Sequence, residues 1–243
     1  MPILYGTPNI DVKLRVSARA RRFSLRVSQL DGRVTLSMPQ GPSQVQVDQF
    51  LHDHEGWIRA ALAKMVHLSS VAPQVLAFGR GLPVEGRLLM VSKGAARGVS
   101  IVGQKLLVSG DEAQLPRRLA AFLRARARDR LAAACDYYAA RLGKPYISLS
   151  LRDTRSRWGS CTSRGGLMFS WRLIMAPIAV LDYVVAHEVA HLAHMNHSPR
   201  FWAEVRKLCP DYQVQRDWLK VHGQSLHRYG FTAQDETNTL ERS

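Results

Sequence analysis

His187, Glu188 and His191 form the pattern H-E-x-x-H inside a stretch that reads V-V-A-H-E-V-A-H-L-A-H-M-N-H-S-P-R-F-W from Val184 to Trp202. On an α-helix, residues four apart differ by about 40° in direction and about 6 Å in rise. Two imidazoles so placed can bind one metal ion from the same helix face. Glu188 is turned by about 100° from His187, so it falls beside the ion rather than on it. A carboxylate there can act as general base toward a metal-activated water, and the chemistry is hydrolysis.

A catalytic zinc ion needs a third protein ligand and keeps its fourth position for water. His194 would share a face with His187 on a longer helix, but about 10 Å along the axis, which is too far for one tetrahedral ion. Asn196 tolerates the left-handed conformation that ends helices, and Ser198-Pro199 reads as the cap and first turn of the next one. Between these signals the chain turns back and His197 swings toward the metal. His197 is the preferred third ligand. Glu204, on the following helix, and His194 stay open as alternatives.

The run from Asp153 to Trp202 resembles the YgjP-like family of zinc metallopeptidases, itself akin to the SprT-like and WLM zincins. The matching segments are R-S-R-W-G-S-C at Arg155 to Cys161, the H-E-V-A-H helix, and N-H-S-P-R-F-W at Asn196 to Trp202. The resemblance implies one Zn2+ per chain held by His187, His191 and His197, with Glu188 as catalytic acid/base. The spacing also equals that of metzincins, but His194 replaces their glycine and no Met-turn is evident. In zincins an edge strand above the active-site helix binds extended substrate by main-chain pairing. By that analogy Met168, Phe169 and Ser170 are the candidate substrate-binding strand, with Arg157 neutralising substrate or oxyanion charge.

The elements that must position these residues follow from periodicity. Pro177 serves as a first-turn residue, and Val180, Leu181, Val184, Val185 and Val189 recur as one buried helix side requires. A long helix spans Asp111 to Leu142, opening near Pro116 and closing at Gly143. Tyr146 to Leu151 predicts a strand, and Arg155 to Cys161 with Leu167 to Trp171 predicts a hairpin turning at Arg164-Gly165-Gly166. Short helices follow up to Val221, and the tail from Thr232 is polar. Upstream, Ile10 to Ser17, Arg22 to Gln29 and Arg33 to Met38 alternate as half-buried strands, with Asp31-Gly32 as a hairpin turn. One helix is expected from Val47 through Met65. Val75 to Phe78, Leu82 to Glu85, Leu88 to Ser92, Val99 to Val102 and Lys105 to Ser109 predict further strands. No internal repeat is legible.

Hydrophobic residues make up 46% of the 243, and charged residues 22%, as in ordinary globular proteins. No apolar run approaches the roughly 18 residues of a membrane span, and no secretory signal is evident. Three scattered cysteines fit a reducing cytoplasm rather than a disulfide framework. The 34 basic and 19 acidic residues leave a formal charge of +15, a surface that attracts polyanions. Arg117, Arg118, Arg124, Arg126, Arg128 and Arg130 stripe the long helix, as a solvated face or as a track for nucleic acid or acidic substrate.

The expected architecture is α+β. A β-rich amino-terminal domain with one helix (1–110) precedes a zincin-type metallopeptidase domain (111–243), an H-E-x-x-H helix with a short antiparallel sheet. The expected function is zinc-dependent hydrolysis of protein or peptide substrates in the cytoplasm. The rivals are a basic nucleic-acid-binding protein with a structural zinc site and a DNA-associated protease of SprT-like type. A closed site would show four protein ligands, an open one three.

Overall fold

The computed structural model describes residues 3–18, 20–27, 33–69 and 74–231. The expected Asp31-Gly32 turn, the side chains of Lys64 and Met65, and the tail from Thr232 lie outside the described residues. The chain is α+β and divides into two compact units, Met1–Ala72 and Pro73–Ser243. Among the described residues no helix is long and apolar enough to cross a membrane.

In the first unit, β1 (Ile3–Leu4), β2 (Ile10–Val16), β3 (Ser24–Val27) and β4 (Val34–Met38) form one sheet in the order β1-β2-β4-β3. The period-2 alternation sends Val12, Val34 and Leu36 into the core. Helix α1 (Gln44–Asp53) opens with a capping box: Ser43 Oγ accepts from the Gln46 amide, and Gln46 Oε1 accepts from the Ser43 amide. Val47 and Leu51 of α1 and Ile58 of α2 (Glu55–Ser69) close this core. The single helix expected here is thus two. The break falls at His54, whose backbone leaves the helix at φ −106° while its Nδ1 meets the Phe50 carbonyl oxygen at 2.8 Å.

The second unit opens with β5 (Gly81–Val84), β6 (Arg87–Lys93), β7 (Val99–Val102) and β8 (Lys105–Val108), ordered β5-β6-β8-β7. The strand expected at Val75 to Phe78 is reduced to a single bridge between Gln74 and Tyr229. A 3-10 turn at Glu112–Gln114 leads into α3 (Leu115–Leu142), which ends at Gly143 in the left-handed conformation, φ 69°. Leu115, Leu119, Leu123, Ala127 and Leu131 line one side of α3 at four-residue spacing and join the same core as Leu82, Val91 and Leu106. That shared core moves the domain boundary. Strands β5–β8 belong with the helices that follow them, so a division at 110/111 would cut through one hydrophobic interior.

Three short strands complete the unit: β9 (Ser148–Arg152), β10 (Gly159–Cys161) and β11 (Gly166–Ser170), in the order β10-β11-β9. The sheet is mixed rather than antiparallel, because β11 runs parallel to β9. Trp171–Met175 forms a 3-10 helix instead of prolonging β11. Then come α4 (Ile178–Ala190), α5 (Pro199–Leu208) and α6 (Tyr212–His222), and a last 3-10 turn at Gly223–His227. Arg172, only 1% exposed, ties this end of the chain down. It forms a two-pronged pair with Asp153 at 2.7 and 3.1 Å and donates to the carbonyl oxygens of Leu226 and Tyr229. A buried guanidinium needs such full engagement to be tolerated.

Most of the expected arginine stripe has structural partners. Arg126 and Arg130 both pair with Glu85, at 2.8 and 3.4 Å. Arg118 donates to Ser109 and Gln114, and Arg124 lies over the Trp171 ring. These contacts hold α3 to the β5–β6 turn and to the 3-10 helix before α4.

Candidate metal centre

Helix α4 carries His187 and Glu188, with His191 as its C-cap, and it is apolar around nearly its whole circumference. Nine of its thirteen residues are buried, Glu188 among them. A helix of that composition is stable only when enclosed. Enclosure by α3, α5, α6 and β10 fixes the directions of its side chains. Pro177 stands at the cap position, one residue before the first turn. The helix ends just before His191, which keeps right-handed helical dihedrals as its C-cap. The chain then turns, and Ser198 caps α5 by accepting from the Phe201 amide. The turn returns His197 to the other two rings. Ligand atoms of His187, His191 and His197 all lie within 4.8 Å of one another, and Nε2 of His187 and His197 are 3.1 Å apart.

Phe201 packs against all three imidazoles. It stacks on His191 at 4.4 Å and meets His187 and His197 edge-on at 4.9 and 4.8 Å. The Trp202 ring stands 5.7 Å from His187 and 5.8 Å from His197. The residues after His197 therefore act as one device: Ser198 and Pro199 start the helix, and Phe201 and Trp202 wall the histidines in.

The donor set suits a metal ion. His191 Nδ1 donates to the His194 carbonyl oxygen at 2.9 Å, which fixes the tautomer and leaves Nε2 as the free lone pair. Burial first, then the neighbouring His191, His197 and Arg216, pushes His187 down to about 3. Burial also lowers His191. Both rings are thus neutral at physiological pH, as ligands must be. A tetrahedral ion about 2.1 Å from each nitrogen separates its donors by roughly 3.4 Å, close to the 3.1 Å already present between two of them. A set of three imidazoles can hold a divalent transition-metal ion.

Of the three candidates for a third ligand, the structure brings His197 to the pair. His194 contributes its backbone carbonyl, and Glu204 pairs with Lys207 at 3.1 Å. Glu188 is 7% exposed, and burial pushes its carboxyl up to about 7, opposed by the nearby Arg157 charge and a hydrogen bond from the Cys161 backbone.

The sequence reading missed Gly159. A Cβ at this position would lie 2.6 Å from Glu188 Cγ and 2.8 Å from its Oε1. The Glu188 carboxylate thus lies directly on the β10 backbone where only glycine leaves room. The signal was present in the W-G-S-C segment, but nothing in the sequence says which helix residue the glycine faces.

The substrate strand needs correction. Strand β11 is flanked on both sides, by β10 and by β9, so Met168, Phe169 and Ser170 have no free edge to offer a peptide. Phe169 and Ser170 are also fully buried. The outer strand beside Glu188 is β10. Ser170 N bonds Trp158 O and Thr162 N bonds Gly166 O, so by antiparallel alternation the backbone groups of Gly159 and Cys161 face away from β11. Arg157 is exposed, and its charge acts on Glu188.

Three imidazoles converging beside a buried carboxylate, in an α+β fold, are the equipment of a metal-dependent hydrolase. The chain belongs to the YgjP-like metallopeptidase domain family, which it matches over residues 21–222. No curated protein matches it. Among solved structures it is similar to the metallopeptidase zymogen of Pyrococcus abyssi abylysin, at 20% identity and a TM-score of 0.34, covering 38% of this chain and 95% of that one.

Proposed function

We propose that this chain is a zinc-dependent peptidase with one ion per chain, held by His187, His191 and His197. Bound zinc would polarise the scissile carbonyl and acidify the attacking water. Glu188 accepts that water's proton and delivers it to the leaving amine. The extended peptide adds to the outer edge of β10, where Gly159 presents its backbone N–H and C=O and Cys161 its C=O, the Cys161 N–H being engaged by Glu188. Its compartment is the cytoplasm, in keeping with the three free cysteines. The observation that carries this reading is the seat of Glu188 on the Gly159 backbone beside three histidines. A carboxylate there is buried, oriented and outside the ligand set. Among the described residues the potential ligand group contains three members, which favours an open catalytic site over a closed structural one.

The test combines metal content with turnover. Protein purified without added metal should hold zinc, and the double variant His187→Ala, His191→Ala should lose it. Glu188→Gln should keep the zinc but cleave a peptide library about 10²–10⁴-fold more slowly. Full zinc in the double variant, or wild-type turnover by Glu188→Gln at equal zinc occupancy, would refute the mechanism.

A further inference from the structure

Two cations border the histidine group, and they come from elements far apart in the chain. Arg216 is exposed on α6, with its Cζ 4.9 Å from the centre of the Trp202 ring. Tyr212, one helical turn earlier, stacks on the same indole at 5.5 Å. The indole is thus a fixed platform between Arg216 and the rings of His187 and His197. Arg157 stands two residues before Gly159, in the loop between β9 and β10. Thr154 Oγ1 donates to the Arg157 carbonyl oxygen at 2.8 Å and shapes that loop. Both charges flank the site: Arg216 lies over the indole whose ring stands 5.7 Å from His187, and Arg157 is two residues from Gly159, the seat of Glu188.

Their engagement differs from that of the structural arginines. Arg126, Arg130 and Arg172 pair with carboxylates inside the fold. Among the described residues Arg157 and Arg216 form no ion pair. Asp217, next to Arg216 in sequence, pairs with Lys220 at 2.6 Å, and Asp153, four residues before Arg157, pairs with Arg172 at 2.7 Å. A guanidinium laid on an indole face keeps its N–H edge free, and that planar fork matches a carboxylate. With Glu188 the one buried carboxylate at the site, the rim is electropositive even before a metal ion adds its charge.

We infer that Arg216, held on the Trp202 platform, and Arg157 select peptides carrying an acidic side chain next to the cleaved bond. The inference rests on the peptidase reading above and adds the substrate class. Electrostatic selection at an exposed rim weakens with salt over a Debye length of about 8 Å at physiological ionic strength. A charge-assisted contact of this kind is expected to alter kcat/KM by about tenfold.

The experiment uses the zinc-loaded full chain and matched fluorogenic peptides with Glu, Ala or Lys on either side of the cleaved bond. The expected order of kcat/KM is Glu over Ala over Lys on at least one side, with the spread narrowing as salt rises. The Glu-to-Ala ratio should fall toward one in Arg216→Gln and invert in Arg216→Glu, while Arg216→Lys retains part of it. Zinc content and circular dichroism on each sample exclude misfolding as the cause. Equal cleavage of all three peptides by wild type overturns the inference and leaves the peptidase reading standing. A parallel arm measures binding of the same peptides to zinc-loaded Glu188→Gln through tryptophan fluorescence. If wild type cleaves nothing, the peptidase reading fails, and binding alone then decides: tighter binding of the Glu peptide, lost in Arg216→Gln, supports acidic selection, and equal binding refutes it.

Discussion

The sheets β1–β4 and β5–β8 are built to one plan. In each, the first strand is antiparallel to the second, the second parallel to the fourth, and the third antiparallel to the fourth. In each, a helical stretch follows the fourth strand. What differs is the reach of that stretch. In the first unit α1 and α2 cover their own sheet and close a small separate core. In the second, the 28 residues of α3 span about 42 Å, while the seven-residue β6 spans about 23 Å. The excess length of α3 is buried against α4, and at its far end Arg141 donates to the carbonyl oxygens of Lys207 and Leu208 on α5. The same strand plan therefore yields a closed module in one case and a platform in the other. The three converging histidines sit on what the long helix supports.

Matched core truncations should separate the two. Leu36 and Leu106 each lie fully buried on the fourth strand of their sheet. Leu36→Ala and Leu106→Ala should each cost about 2–5 kcal/mol, read from chemical denaturation. Only Leu106→Ala should also weaken zinc retention and activity, because its core continues through α3 to α4. Equal zinc loss in both variants would break the comparison.

The seat of Glu188 offers a sharper and smaller probe within the second unit. Gly159→Ala places a methyl 2.6 Å from Glu188 Cγ, so the carboxylate must shift. Misplacing a catalytic group by about 1 Å costs on the order of 10²-fold, so turnover should drop by roughly that factor with zinc content unchanged. Wild-type turnover would show that Glu188 does not act from this seat.

In the metal-free chain, two groups at the site work against each other with pH. His187 falls from 6.5 to about 3 on folding, so between those values the unfolded chain binds a proton that the folded chain refuses. Its contribution to stability is present above about pH 6.5 and is lost as pH falls. Glu188 rises from 4.5 to about 7, so the folded chain keeps a proton that the unfolded one has released. That contribution is present below about pH 4.5 and declines as pH rises toward 7. The two slopes oppose each other from about 4.5 to 6.5; below that window His187, joined in direction by His191, is no longer opposed by Glu188. Thermal unfolding of metal-free protein should therefore show a shallow pH dependence near neutrality and a steep loss below about 4.5. His187→Phe should blunt the steep limb.

Much of this was legible in the sequence. Strand β7 was read to the residue, Gly143 marked the end of α3, and the asparagine-to-serine stretch placed His197 beside its partners. These signals are local: a period, a cap, a left-handed residue. Apart from the local break at His54 and the 3-10 helix at Trp171–Met175, the failures were long-range. Nothing in M-F-S says that β9 comes back parallel and takes the outer side of β11. Arg126 and Arg130 look like a solvated stripe until Glu85, some forty residues away, meets them. The repeated sheet plan escaped notice because strand order leaves no periodic trace when the turns and helix lengths differ.

The smallest expected effect compares two helix caps. Ser43 caps α1 in a complete capping box, with Gln46 reaching back to the Ser43 amide at 2.9 Å. Ser198 caps α5 by its hydroxyl, which accepts from Phe201 at 3.4 Å, and Pro199 follows in the first turn. Removing either hydroxyl should cost about 1 kcal/mol, so Ser43→Ala and Ser198→Ala should look alike by denaturation. They should differ in zinc affinity. Ser198 fixes the start of the helix that carries Phe201, and Phe201 packs against all three imidazoles, with His197 one residue before the cap. Loosening that start lets His197 and its wall fray together, so Ser198→Ala should release zinc to a competing chelator several-fold more readily than wild type, whereas Ser43→Ala should match wild type. Indistinguishable zinc release from the two variants would mean that His197 is held by its contacts with His187 and Trp202 alone, and that the α5 cap matters to the metal centre no more than the α1 cap does.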